Sequence, residues 1–397
     1  MKPAKVALLG GFGLMAEAAL HDLAANPSVG RILAVDLNLS RAKAVLAKIP
    51  NRRKIAALKL DLSDRSAAVR KLRGCDVVLN CAWYEYNVPA MELALALKAH
   101  YVDLGGLFHT TLKQLKLSPR FAKIGRCAVL GCGSTPGITN MMVARMADSF
   151  ETIDTVGIYD ASYDPALSDS TFLPPFSIRT MLAEYEQPAP VFKNGRIKEV
   201  PAHSEPEELE FKPPIGRMTC GAVIHSEAAT LPGYLKDKGV KNLFFKIAYP
   251  ESVKSQLGML VAMGLSKDEP IRLNGKTLVS PRHFVTALSQ AAAASAPAGA
   301  PNDFEILRVR VTGSRHGRAI VKVWDCELRA AKPLSAGAMG VGFAGAIAAS
   351  MTAARQTRVP AGAGAPESIL DHDVFFRELR RRKIFTLVET IAHPLAI

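Results

Sequence analysis

Residues 5–16, KVALLGGFGLMA, pass from a continuous apolar run through a glycine turn straight into an apolar helical pattern. Nothing else in the chain restricts the fold as much. Read as Gly-x-Gly-x-x-Ala, the turn uses Gly11, Gly13 and Ala16. Gly11 permits the tight turn, Gly13 lets the backbone approach a pyrophosphate, and Ala16 keeps the helix close to its strand. The helix start then offers free N–H groups and a positive dipole end to phosphates. Phe12, Leu14 and Met15 fill the variable positions and are expected along the same cofactor. The second strand, RILAVD, ends on Asp36, which suits the adenosine ribose hydroxyls and repels a 2′-phosphate. NAD is therefore expected over NADP, with Arg41 near enough in sequence to argue for a phosphate instead.

Further apolar runs follow at AALKLDL (56–62), CDVVLNCA (75–82), YVDLGG (101–106) and CAVLGCG (127–133), alternating with helical patterns. This spacing predicts a doubly wound parallel α/β sheet. Ligands in such sheets bind beyond the carboxyl ends of the strands. That rule places Asp61, Asn80, Cys81, Ala82, Asp103, Leu104 and Gly105 along the cofactor path, with helix capping an equal alternative for Asp61. The loop LGCGSTPGITN (130–140) leaves the last of these strands. Its glycines allow close approach, Thr135 and Pro136 are expected at the reacting carbon, and Thr139 is expected to cap the next helix. Cys132 has no evident partner base and reads as a small wall residue.

After residue 150 the pattern changes to strands joined by turns such as KNGR (193–196) and GSRHG (313–317). This region reads as α+β with a mostly antiparallel sheet. AAAASAPAGAP (291–301) reads as a low-complexity loop. The uncharged stretch 333–354 is long enough to span a bilayer, but its Gly/Ala composition suits close packing inside a protein.

The chain has 397 residues and a net charge of +14. Its basic residues are scattered and no nucleic-acid motif accompanies them, so no nucleic-acid or membrane partner is expected. Six cysteines without a CxxC pair argue against zinc and for a reducing cytoplasm, and no metal is expected.

The loop LGCGSTPGITNMMVARMAD and the segment FSIRTMLAEYEQPAPVFKNGRIKEVPAHSEPEELEF (176–211) resemble the saccharopine dehydrogenase family, most closely its lysine 6-dehydrogenase branch. The resemblance implies a Rossmann domain formed by 1–138 and 338–397, with 139–337 for substrate binding and dimerisation. It implies NAD-dependent oxidative deamination of the terminal amine of lysine or a similar ω-amino acid. The related reading is a saccharopine- or carboxynorspermidine-type reductase that forms or cleaves a secondary amine. It also implies a homodimer or higher homo-oligomer. Arg179 matches the family's carboxylate-binding arginine. Oxidation needs a neutral amine, and an ordinary lysine amine titrates near about 10.4, so a base is required. Asp103 is a candidate, with a structural cap as its alternative. Where the family has small residues this chain has Tyr159 and Asp160, and His225 and Glu227 stand in a second divergent loop. These are candidates for substrate binding and proton transfer, or ordinary loop residues.

Overall fold

The computed structural model describes residues 2–165, 177–295 and 301–392. β1 (Ala4–Leu9), β2 (Val29–Asp36), β3 (Ile55–Lys59), β4 (Val77–Asn80), β5 (His100–Asp103) and β6 (Cys127–Val129) pair in parallel, in the order 6-5-4-1-2-3. β1 is buried along Val6–Leu9 because helices cover both sheet faces, which is why it reads as an unbroken apolar run.

The second lobe takes β7 (Thr152–Tyr163), β8 (Ala189–Lys193), β9 (Arg196–Val200), β10 (Glu207–Glu210), β11 (Arg217–Ala222) and β12 (Asn242–Ala248). A separate hairpin follows, β13 (Ile271–Leu273) with β14 (Thr277–Val279), and then a long ribbon, β15 (Phe304–Arg315) with β16 (Arg318–Arg329). Pairing in this second sheet is antiparallel except between β7 and β12. Both expected hairpin turns form. Asn194-Gly195 and His316-Gly317 carry the positive φ values that two-residue turns require.

The last two strands divide between the sheets. β17 (Gly362–Gly364) extends the parallel sheet beside β6, whereas β18 (Phe385–Ala392) pairs antiparallel with β16. The C-terminal tail therefore does not belong wholly to the Rossmann lobe, as the sequence division at 338–397 had it. The helix Ala336–Ala353 is long and apolar enough to cross a membrane by composition, yet 72% of it is buried inside the protein. It packs on the first Rossmann helix, Leu14–Ala25, and against β4 and β5. Part of the segment expected as a loop at 291–301 is instead the end of the helix Pro281–Ser295, and 296–300 lie outside the described residues.

Candidate functional site

The nucleotide turn works with one shift of role among its glycines. Gly10, rather than Gly11, holds the positive φ (+67°), and a Cβ there would lie 2.7 Å from the Ala82 nitrogen. Gly11 is needed for a different reason: a Cβ there would lie 3.0 Å from the backbone of Ala34 and Val35 in β2. Gly13 is the N-cap of Leu14–Ala25 and supplies no side-chain cap, so the first-turn N–H groups stay available to an anion. Phe12 points into the core, and its N–H donates to Asp36 Oδ2 at 3.1 Å. Leu14 is exposed and Met15 half-buried at the helix start. Asp36 Oδ1 accepts from the Asn38 N–H at 3.1 Å. Arg41 turns toward buried Glu17, 3.8 Å away. These groups fit a dinucleotide: a backbone cradle for phosphates, with a carboxylate at the end of β2. Asp61 is exposed and accepts from the Ser63 N–H in a local turn, while the next helix is capped by Asp64.

Beyond β4 and β5 a buried polar chain runs Asn80–Asn87–Gln114–Asp103. Asp103 Oδ2 accepts from Gln114 Nε2 at 2.6 Å, and Oδ1 accepts from the N–H groups of Gly131 (2.7 Å) and Gly105 (3.0 Å). With both oxygens engaged and the residue buried, Asp103 organises this loop instead of facing a substrate as a base. Burial also pushes its pKa up. Cys81, Ala82, Leu104 and Gly105 line the strand ends half-buried around it.

The loop 130–140 closes on itself. The Thr135–Pro136 peptide is cis, and the Pro136 ring packs on Gly105 and Gly131. The helix begins at Ile138 with Gly137 as N-cap, so Thr139 is not the cap; it is buried, with its hydroxyl on the Ser134 carbonyl. Cys132 is fully buried with its thiol on the Ala344 carbonyl, and burial pushes its pKa up, which disfavours a thiolate and leaves it a wall of the loop.

Across this loop stands an acidic recess. Thr135 Oγ1 reaches Asp160 Oδ2 at 3.4 Å. His225 Nδ1 meets Glu227 Oε2 at 2.5 Å, and its ring stacks on Phe245. Glu184 is buried, with one oxygen accepting from Tyr249 Oη at 3.0 Å. Burial raises Asp160 and Glu184 to about 7. Burial alone would lower His225, but the charges of Glu227, Glu184 and Asp160 outweigh it and its pKa is raised. Glu305 lies on the same face of β15 as Leu307, the partner of Asp160 across the pair with β7. Its Oε2 is buried without a hydrogen bond, as is Ser134 Oγ beside it near Gly340. Among the described residues none of Asp160, Glu184 and Glu305 pairs with a lysine or arginine.

Tyr159 does not join them. Adjacent strand residues face opposite ways, and its hydroxyl donates to Glu207 on the far side of the sheet. Arg179, in the helix Ile178–Glu186, stacks on Trp83 just past β4, with its guanidinium carbon 3.5 Å from the ring centroid. Arg179 Nε and Trp83 Nε1 are both buried without partners. Sequence reasoning missed Trp83, Glu184, Tyr249 and Glu305. Trp83 alone left a signal, standing three residues beyond the end of β4.

A parallel sheet with a glycine cradle, facing a mixed-sheet lobe that carries acids and an arginine, defines a two-domain Rossmann oxidoreductase. The saccharopine dehydrogenase NADP binding domain matches residues 6–129 and the saccharopine dehydrogenase C-terminal domain matches 133–384. The chain belongs to the saccharopine dehydrogenase family and carries its NAD(P)-binding domain. The carboxynorspermidine synthase of Vibrio alginolyticus is 24% identical over 58% of this chain and 57% of its own length. That of Vibrio cholerae is 23% identical over 70% of this chain and 71% of its own length. A carboxyaminopropylagmatine dehydrogenase of Synechocystis is 24% identical over 72% of each chain. In structure, the saccharopine dehydrogenase (L-Glu forming) of Saccharomyces cerevisiae superposes with a TM-score of 0.74 over 98% of this chain and 100% of that one, at 18% identity.

Proposed function

We propose that this enzyme joins an amine to an oxo compound through a secondary amine, with a nicotinamide cofactor, as a carboxynorspermidine-synthase-type reductase. The observation that carries the reading is the set of acids at this recess: buried Glu184 and Glu227 and half-buried Asp160 beside His225, with buried Glu305 beyond Asp160. Glu227 is taken up by His225, but Asp160, Glu184 and Glu305 pair with no lysine or arginine among the described residues, which favours a cationic ligand. The relatives' names, carboxynorspermidine synthase and carboxyaminopropylagmatine dehydrogenase, both describe a carboxylated amine, which supports this reading over lysine oxidation.

Each residue then has a role. Asp160 and Glu184 draw in the amine. His225, oriented by Glu227, gives a proton to the departing carbinol oxygen as C=N forms, and Thr135 holds Asp160 in place. Arg179 binds the carboxylate, its plane set by Trp83. The bound nicotinamide supplies the hydride. We take NAD(H) as the preferred form, because the carboxylate of Asp36 ends β2, where it would repel a 2′-phosphate, and Arg41 is turned toward Glu17.

A panel of ω-oxo acids paired with diamines should consume NADH, and NADPH more slowly. Arg179→Ala should raise KM for the oxo acid by at least about tenfold, the scale of a lost charge-assisted pair, with KM for NADH unchanged. Reduction of NAD+ by lysine alone at alkaline pH, with no turnover of the paired substrates, would return the lysine reading.

A further inference from the structure

His225 rests on Glu227, and Glu227 has a second oxygen. Oε2 meets His225 Nδ1, but Oε1 is buried without a hydrogen-bond partner. Glu227 opens the helix Glu227–Tyr234, and Thr230 follows three residues on, on the same face. Its Oγ1 is also buried without a partner. The short helix Pro366–Ile369 packs against this one and carries Glu367. Glu367 is fully buried; its Oε2 accepts from Asn140 Nδ2 at 3.0 Å, and its Oε1 has no partner. Thr230 and Glu227 both act on its charge, Thr230 easing it and Glu227 opposing it. Three buried oxygens without partners thus gather behind His225, and leaving them all unpaired is costly in a dry interior.

One placement of protons pairs them. With both carboxyls ionised, a single hydroxyl hydrogen has to serve two anions. With Glu367 protonated, its O–H donates to Thr230 Oγ1, and the Thr230 O–H donates to Glu227 Oε1. Burial favours this form, raising the Glu367 pKa. The other titratable groups beside Glu367 are Cys132 and His372, whose Nε2 meets the Glu367 carbonyl oxygen at 2.9 Å. Those beside His225 are Glu184 and Asp160.

We propose that Glu367 is a neutral acid that, through Thr230, holds Glu227 and so sets the acid strength of His225. It is a positioning residue, and the inference rests on the proton-donating role given to His225 above. A hydrogen bond from Thr230 takes up part of the Glu227 charge, so less of it falls on His225. The imidazolium then stays acidic enough for its task. As the carbinol C–O bond breaks, its electron pair leaves on oxygen, the nitrogen lone pair forms C=N, and the His225 proton turns the leaving oxygen into water. The same carboxyl also steadies the other side of the site. Asn140, which it holds, accepts from the Gly137 N–H at 3.4 Å, in the loop that carries Thr135 and Pro136.

The test is an NMR titration of the His225 ring in the apo protein, its signal identified by its loss in His225→Asn. The pH profile of kcat with an ω-oxo acid and a diamine is measured beside it. Thr230→Val should raise the His225 midpoint by about one pH unit, because the whole Glu227 charge then falls on the ring. The alkaline limb of kcat should move up with it. Glu367→Gln keeps a neutral donor for Thr230 and an acceptor for Asn140, so both readouts should match wild type. Glu367→Met removes the donor and should move the midpoint in the same direction as Thr230→Val; if it does not fold, the other two variants still carry opposite expectations. A midpoint that Thr230→Val leaves in place, or one that Glu367→Gln raises as Thr230→Val does, would overturn the proposal. A midpoint that moves as stated while the kcat profile stays fixed would uphold the link to Glu367 and overturn instead the role given to His225.

Discussion

Glu184 shows how one residue can reverse the ordinary link between a carboxyl and stability. Its pKa is raised from an ordinary glutamate value to about 7 by burial, eased only by the Tyr249 hydroxyl and the charge of His225. The folded state therefore holds a proton on Glu184 between the unfolded value and about 7, where the unfolded chain has released it. Stability from this group is fully present below the unfolded pKa and is lost as pH rises through about 7. Gln keeps the volume and accepts the Tyr249 hydrogen bond, but it has no charge to bury. Relative to wild type, Glu184→Gln should gain stability between pH 5 and pH 8, by at most about 3 kcal/mol. Denaturant melts of the apo protein at the two pH values check this, and a pH-independent difference would refute it. Substrate loading should shrink the gain, since a bound cation offsets the ionised carboxylate.

At the level of elements, what the sequence made legible is what neighbours along the chain decide. The glycine cradle, the strands feeding it and the two Asn-Gly and His-Gly turns are local, so strand pattern and turn chemistry found them. Which glycine took the positive φ depended on how close Ala82 comes across the sheet, and that contact is not local. The acidic recess was the least legible part. Asp160 comes from β7, Glu184 and Glu227 from separate helices, and Glu305 from β15, and only sheet pairing brings them together. Tyr159 was misread because two adjacent candidates on one strand cannot face the same pocket. The helix Ala336–Ala353 shows composition correctly resolving an ambiguity. A Cβ on Gly342 would lie 2.5 Å from the Met15 carbonyl, so glycine lets this helix touch the turn that holds the cofactor. Gly342→Leu should push that turn aside, lowering Tm and raising KM for the nicotinamide about tenfold or more, the effect of 1–3 kcal/mol of overpacking at the site. Gly337→Ala is the control, because its Cβ meets nothing closer than Glu305 at 3.9 Å. Equal effects from both variants would show that the helix is merely intolerant of side chains.

For the whole molecule, the chain laces its two lobes together. β17 returns to the first sheet after the second is built, and β18 then crosses back to pair with β16. Between them, Glu367 accepts from Asn140 at the start of the second lobe (3.0 Å), and Arg382 grips Asp22 of the first Rossmann helix (2.5 and 2.7 Å). One apolar cluster runs through both lobes, holding Leu8 and Leu79 together with Ile158, Leu307 and Ile347. Neither lobe can open without breaking strand pairing or core in the other. The two lobes should therefore melt together, although chains of this length often show separate domain transitions. Calorimetry is expected to give one transition whose van't Hoff and calorimetric enthalpies agree. A ligand that binds only the folded chain adds about 2.7 kcal/mol at a hundred times its Kd. Spread over the unfolding entropy of this chain, that moves the single transition up by about 3 °C. NADH should produce that shift, with NADPH giving less at equal concentration. A scan with two transitions, of which NADH moves only one, would show that the crossing strands do not couple the lobes.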